Sequence, residues 1–191
     1  DWKDIQVRDE VVGGAGNAAR FEFLTNGGAA EIIGLEMVLR ANPVPGLNAG
    51  LMVSYADAQL TEDNPDPASG AEGDGISYVP KFSLALDADY TWQMSDLGAT
   101  ARVGGDVFYV GSRDSRFNTR DPLNVAFDDY ALVNVYASVD KGPWSARVTL
   151  QNAFDDDTVI DTRAVIEGLY PQGFIRNYPR TVFLQVSRDF F

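Results

Sequence analysis

An all-β, antiparallel, membrane-spanning barrel is the fold class this sequence predicts, and three observations carry it. Apolar and polar residues alternate with period two over much of the chain, while helical spacing is almost absent. The alternating runs exceed the five or six residues of an ordinary strand and match the roughly 9 to 11 of a tilted bilayer-crossing strand. Short and long connections take turns along the chain.

About eight strands follow, near residues 2 to 11, 28 to 42, 47 to 60, 79 to 94, 98 to 111, 129 to 140, 144 to 154 and 179 to 191. The first opens on Asp1-Trp2-Lys3-Asp4, with no initiator Met, basic start or apolar leader, so the chain is expected to be a mature protein or part of a longer one. The strand at 47 to 60 sets Leu47, Ala49, Leu51, Val53 and Tyr55 against Asn48, Gly50, Met52 and Ser54. The next is the clearest: Phe82, Leu84, Leu86, Ala88, Tyr90 and Trp92 oppose Lys81, Ser83, Ala85, Asp87, Asp89 and Thr91, and two mid-strand carboxylates require water on their face. Ala99 to Tyr109 is a weaker, Gly-rich version. Trp144, Ala146, Val148 and Leu150 oppose Ser145, Arg147, Thr149 and Gln151. Val182, Leu184, Val186 and Phe190 make the last apolar face, interrupted by Arg188.

Asn42-Pro43-Val44-Pro45-Gly46, Ser95-Asp96-Leu97 and Lys141-Gly142-Pro143 read as tight turns, alternating with long segments near 12 to 27, 61 to 78, 112 to 128 and 155 to 178. Outer-membrane barrels have this asymmetry, with short periplasmic turns and long extracellular loops. Tyr90, Trp92 and Trp144 flank tight turns, where an interfacial aromatic girdle belongs. A soluble sandwich or lipocalin-like barrel also explains alternation. Strand length, alternating loop lengths and broad charged faces weigh against it.

Composition narrows the chemistry. The 191 residues hold 28 Asp+Glu against 15 Lys+Arg, a net charge of -13, with no His and no Cys. That excludes the common Ser-His-Asp and Cys-His nucleophile pairs, zinc fingers and the usual haem and copper sites. The acidic balance opposes a nucleic-acid partner. Apolar content of 45% is enough to bury a core, so disorder is excluded, and no run reaches the roughly 18 apolar residues of a membrane helix.

Along nearly the whole chain stand Asp1-Trp2-Lys3-Asp4-Ile5-Gln6, Asn26-Gly27-Gly28-Ala29-Ala30 with Ile33-Gly34-Leu35-Glu36, Pro45-Gly46-Leu47 through Tyr55-Ala56-Asp57-Ala58, Val79-Pro80-Lys81, Gln151-Asn152-Ala153-Phe154-Asp155 and Pro179-Arg180-Thr181. These motifs resemble the C-terminal half of TonB-dependent outer-membrane receptors. Each is weak alone, but their order and spacing are specific. The terminal Phe190-Phe191 resembles the aromatic signal read by the barrel-assembly machinery, although Arg188 stands where an apolar residue or Tyr is expected. The resemblance implies a 22-stranded barrel of which residues 1–191 would be the last eight strands, with no plug domain and no TonB-contact segment in this chain. It implies ligand uptake across the outer membrane of a Gram-negative bacterium, energised through the TonB complex, with the protein seated in outer-membrane lipid. The ligand would be a ferric siderophore, cobalamin or oligosaccharide, no cofactor is implied, and the protein would not be an enzyme. A stand-alone small barrel with a structural or adhesion role, and a soluble secreted β-protein binding sugar or calcium, are the alternatives.

Candidate sites lie in the long loops. Arg113, Arg116 and Arg120 with Phe117 can contact an anionic ligand such as a ferric siderophore or acidic sugar, or can pair with Asp114, Asp121, Asp128 and Asp129. Tyr170, Phe174 and Tyr178 can stack on a ligand or pack their loop against the barrel mouth. Glu62, Asp63, Asp66, Glu72 and Asp74, with no Lys or Arg among them, can bind Ca²⁺, though the spacing fits no EF-hand and a solvated loop is the simpler reading. Asp155-Asp156-Asp157 with Asp161 is a second acidic cluster at a strand-to-loop junction, where the resemblance implies solvation or capping of the loop. Arg40, Asp87, Asp89, Arg102, Asp106 and Arg147 fall on the face expected to line a wet interior.

Overall fold

The computed structural model describes residues 28–64, 70–121, 124–163 and 173–190, and the backbone of residues 6–12 and 20–26. Asp66, Tyr170, Phe191 and the Asp1 to Ile5 strand opening lie outside the described residues. In chain order the strands are β1 (Gln6–Val12), β2 (Arg20–Asn26), β3 (Ala30–Ala41), β4 (Leu47–Leu60), β5 (Phe82–Met94), β6 (Ala99–Val110), β7 (Arg113–Asp114), β8 (Ala126–Phe127), β9 (Tyr130–Lys141), β10 (Trp144–Gln151), β11 (Val159–Arg163), β12 (Gly173–Arg176) and β13 (Thr181–Arg188). Seven of them form one sheet in the order β3-β4-β5-β6-β9-β10-β13, every neighbouring pair antiparallel. This is the up-and-down order expected of successive membrane crossings.

The expected long connections hold more structure than the sequence reading gave them. Residues 12 to 27 include β2, which pairs in register with β1 from Gln6 opposite Asn26 to Val12 opposite Arg20. The Arg20-Phe21-Glu22-Phe23-Leu24-Thr25 alternation is there in the sequence, but it is short and runs into Asn26-Gly27-Gly28, a strong turn signal. Two further connections carry the hairpins β7-β8 and β11-β12.

The three tight turns form where expected. Gly46 (φ +88°) and Gly142 (φ +54°) take the left-handed conformation that a side chain resists, and a Cβ on Gly46 would collide with the Thr91 carbonyl. Ser95–Leu97 is a single 3-10 turn.

Register carries one apolar face unbroken across the sheet. Leu39 lies opposite Leu51, Leu51 opposite Leu86, Leu86 opposite Val107 and Val107 opposite Val133. On the flanking strand Val148 lies between Ala137 and Leu184. A one-residue slip in any strand would turn its apolar set over, so the pattern fixes the pairing. The opposite face carries Arg40, Asn48, Asp87, Asp89, Arg102, Asp106, Asn134 and Arg147.

The apolar face is not a soluble protein's core. Among the described residues the buried apolar side chains are Ala29, Ala30, Ala58, Leu60, Ala99, Ala101 and Phe127, whereas Leu35 is 70% and Leu184 76% exposed. A sandwich would interleave these side chains with those of a second sheet. Here the face is open, and bordered by aromatics. Tyr55 pairs with Phe82, whose ring lies 5.9 Å from that of Tyr109, while Tyr90 and Trp92 stack at 5.8 Å near the other end. Phe82 to Trp92 spans about 33 Å along the strand at roughly 3.3 Å per residue, or about 25 Å normal to a membrane at a tilt near 40°. That equals the height of a membrane barrel's apolar band. The described residues contain no helix long and apolar enough to cross a membrane.

Candidate ligand-facing site at the long-loop end

The loop after β4 folds back on the strand ends. Leu60 and Ala30 are buried, with Ile76 and Phe117 packed against them. Phe117 therefore ties the loop at 112–128 to the loop at 61–78. Turn hydrogen bonds complete the unit: Leu60 donates to the Asp74 carbonyl at 2.8 Å, Gly73 to Leu60 at 2.8 Å, and Gly28 to the Asn64 side chain at 2.8 Å. Asp63 accepts from the Glu72 amide and Asp74 from the Ala71 amide, each at 2.9 Å. These carboxylates fasten their own loop, and Glu62 stands exposed. No three acidic side chains gather as a metal cage among the described residues.

The three arginines part company. Arg113 turns inward, donating to the Ile160 carbonyl at 2.8 Å with its guanidinium 5.1 Å from the Phe127 ring centroid and 5.9 Å from that of Tyr130. It links this loop to β11. Arg116 pairs with Asp121 at 3.0 Å, one of the acidic partners foreseen from sequence. Arg120 is exposed, its backbone amide held by the Asn118 side chain at 3.0 Å. Asp129 accepts from the Tyr109 hydroxyl at 2.9 Å, and Asp114 from the Asn124 side-chain Nδ2 at 2.8 Å. Phe174 on β12 and Tyr178 are 52% and 88% exposed.

The junction below this loop is densely bonded. Asn152, 5% exposed and at φ +48°, donates through Nδ2 to the Asp156 carbonyl at 2.8 Å and to the Tyr178 carbonyl at 2.7 Å. Its Oδ1 accepts from the Asp156 amide at 2.9 Å, and its own amide donates to Asn134 Oδ1 at 3.0 Å. Asn134 in turn donates to Asp106 at 2.6 Å. Asp156 accepts from Asn177 at 2.9 Å and from the Thr158 amide at 3.0 Å. Burial pushes the Asp156 carboxyl up, but these hydrogen bonds outweigh it and hold the group below its ordinary value. Of the two roles expected for the Asp155–Asp157 cluster, solvation or capping, Asp156 takes the capping one, and the sequence reading missed the two asparagines that organise it. Asn152 sat in a quoted motif, but its partners Asn134 and Tyr178 lie 18 and 26 residues away.

At the other end, Phe190 is 77% exposed and follows the outward register of Val182, Leu184 and Val186.

A continuous apolar band, a polar opposite face and loops folded at one end define the wall of a membrane barrel receptor. Residues 1–153 match the family described as TonB dependent receptor-like, beta-barrel, and the chain belongs to that family. The family is one of receptors and transporters, not enzymes. Comparison with curated proteins returns no significant match. Among solved structures, the ferric yersiniabactin uptake receptor FyuA from Yersinia pestis superposes with a TM-score of 0.73 at 18% identity, over 88% of this chain and 25% of its own. BauA, the ferric preacinetobactin receptor from Acinetobacter baumannii, gives 0.69 at 18% identity over 97% and 26%. The pyoverdine receptor FpvA from Pseudomonas aeruginosa, bound to pyoverdine, gives 0.67 at 18% over 98% and 26%. The chain thus spans about a quarter of the receptors it resembles.

Proposed function

We propose that residues 1–191 form the last eight strands of a 22-stranded outer-membrane receptor that takes up a scarce ligand with energy delivered through TonB. The observation that carries this reading is the pairing of an exposed, register-locked apolar band with a face bearing Asp87, Asp89, Asp106, Arg102 and Arg147. Charges on the inner side suit a wide, wet barrel and are hard to pack inside a closed eight-stranded one. The plug and the TonB-contact segment would lie in a part of the protein outside this sequence. The exposed C-terminal register ending at Phe190, with Phe191 beyond it, would serve as the assembly signal.

The ligand class favoured is a ferric siderophore, because the three receptors named above are siderophore receptors by description. In this reading Arg120 and Arg116 supply cationic contacts from the loop at 112–128, and Phe174 and Tyr178 supply aromatic ones. Tyr170 would join them. No bond is made or broken by the protein: the loops select and the barrel conducts.

The test is growth of a strain lacking the full-length gene under iron limitation, supplied with single ferric siderophores, cobalamin or oligosaccharides. Loss of growth on one ferric chelate, restored by the gene but not by a version lacking the TonB-contact segment, is the expected result. Undiminished growth on every ferric chelate, with a defect confined to cobalamin or an oligosaccharide, would replace the siderophore assignment.

A further inference from the structure

Charge on the apolar face is segregated by end. In its register the charged residues of the seven-stranded sheet are Glu31 and Asp57 at the long-loop end and Lys141 and Arg188 at the tight-turn end. Asp57 is neutralised by Lys81 at 2.9 Å. The two cations sit in a single cross-strand row, Lys141 opposite Trp144 and Trp144 opposite Arg188. Arg188 is the residue that broke the apolar pattern of the last strand.

The row is organised for an anion. The Arg188 guanidinium lies 5.1 Å from the Trp144 ring centroid and 5.0 Å from that of Phe190, held between two aromatic faces. Neither Lys141 nor Arg188 is in an ion pair among the described residues. The nearest acids in sequence, Asp140 and Asp189, fall on the alternate register, and the Asp189 amide is tied to the Pro143 carbonyl at 2.8 Å. Two strand spacings separate the two cationic Cα atoms by about 10 Å, so both long side chains can close on one tetrahedral anion over the indole. At this depth, beside Trp144 and just below the apolar band, the anion that membrane lipid supplies is the headgroup phosphate. Arg suits it through its forked donors, and Trp is the usual interfacial anchor.

We propose that Lys141, Trp144 and Arg188 seat the phosphate of an anionic phospholipid headgroup in the leaflet on the tight-turn side. The inference rests on the membrane-spanning reading of the apolar face given above.

The test uses the full-length receptor purified in detergent, with native mass spectrometry comparing phosphatidylglycerol and phosphatidylcholine of equal chain length. The wild type should retain phosphatidylglycerol preferentially, and each of K141Q and R188L should reduce that preference about fivefold, as expected for one cation near an anionic headgroup. R188K should keep most of the charge effect. Equal retention of the two lipids by the wild type, or an unchanged preference in both single variants, would overturn the seat. Displacement of phosphatidylglycerol by inorganic phosphate would also overturn it, since the row would then be a simple anion site. Heat-shifted gel mobility is read on every sample. A wild-type receptor with no heat shift and no lipid adducts would instead sink the membrane-barrel reading beneath the proposal.

Discussion

Asn152 and Tyr178 are joined by a 2.7 Å hydrogen bond from the asparagine Nδ2 to the tyrosine carbonyl, across 26 residues of sequence. This bond fixes where the last long loop returns to the barrel wall. With the Asn134 to Asp106 bond at 2.6 Å and the Asn152 to Asn134 bond at 3.0 Å, it connects the polar face of the sheet to the base of the loop that presents Phe174 and Tyr178.

Replacing that amide should loosen the loop before it unfolds the barrel. Asn152→Ala leaves the Tyr178 carbonyl and the Asp156 amide without their partner, at about 1–3 kcal/mol for each group left unsatisfied. Asn152→Gly loses the same bonds but accepts φ +48° without strain, so it should be less damaging than alanine by about 1 kcal/mol. Limited proteolysis of the intact receptor, scored by cleavage between residues 155 and 178, should rank the variants wild type, Gly, Ala in rising rate.

Acid should act on the same junction. The Asp156 carboxyl is held below its usual value of 3.8, so it contributes stability above that value and loses it as pH falls through the lower folded value. Hydrogen exchange at Thr158 and Asn177 should be insensitive to pH from neutrality down to about 5 after correction for intrinsic rates, and should accelerate below 4. Asp156→Asn should remove the pH step.

The sheet was legible because a membrane wall writes its environment into every second residue. Seven of the eight expected strands form the sheet, and the eighth appears as β1 paired outside it. Where the sequence was less informative, long-range partners decided the outcome. Arg113 looks like Arg116 and Arg120 in sequence, yet Ile160, Phe127 and Tyr130 draw it inward. Phe117 shares a loop with the three arginines in sequence, yet its ring packs against Leu60 and Ala30 from another loop. Short spacing shows which residues share a loop, but not which of them the loop spends on itself.

Phe117→Ala should therefore act on loop order more than on ligand contact. Removing a half-buried ring from the Leu60 cluster is expected to cost about 2 kcal/mol, below the roughly 3–5 of a fully buried Phe. Faster hydrogen exchange at Gly73, Asp74 and Ile76 checks it.

Among the arginines the exposed one should matter most to an anionic ligand. On the proposed siderophore reading, Arg120→Glu should weaken binding of the ferric chelate by about tenfold or more through charge reversal at an open site. Arg116→Gln, which loses a guanidinium already paired with Asp121 at 3.0 Å, should cost less. Equilibrium titration of the detergent-purified receptor separates the two.

The face of Leu86, Val107 and Val135 should meet lipid, while that of Asp87 and Asp106 should meet water. The 191 residues contain no Cys, so single cysteines placed in a cysteine-free full-length receptor can carry a nitroxide at each position in turn. In liposomes, positions 86, 107 and 135 should relax with dissolved oxygen and positions 87 and 106 with a water-soluble nickel chelate. Alternation of that kind along β5 and β6, with position 135 on β9 following the lipid-facing set, is what a lipid-exposed barrel wall requires. Equal access of the nickel chelate to both sets would contradict it.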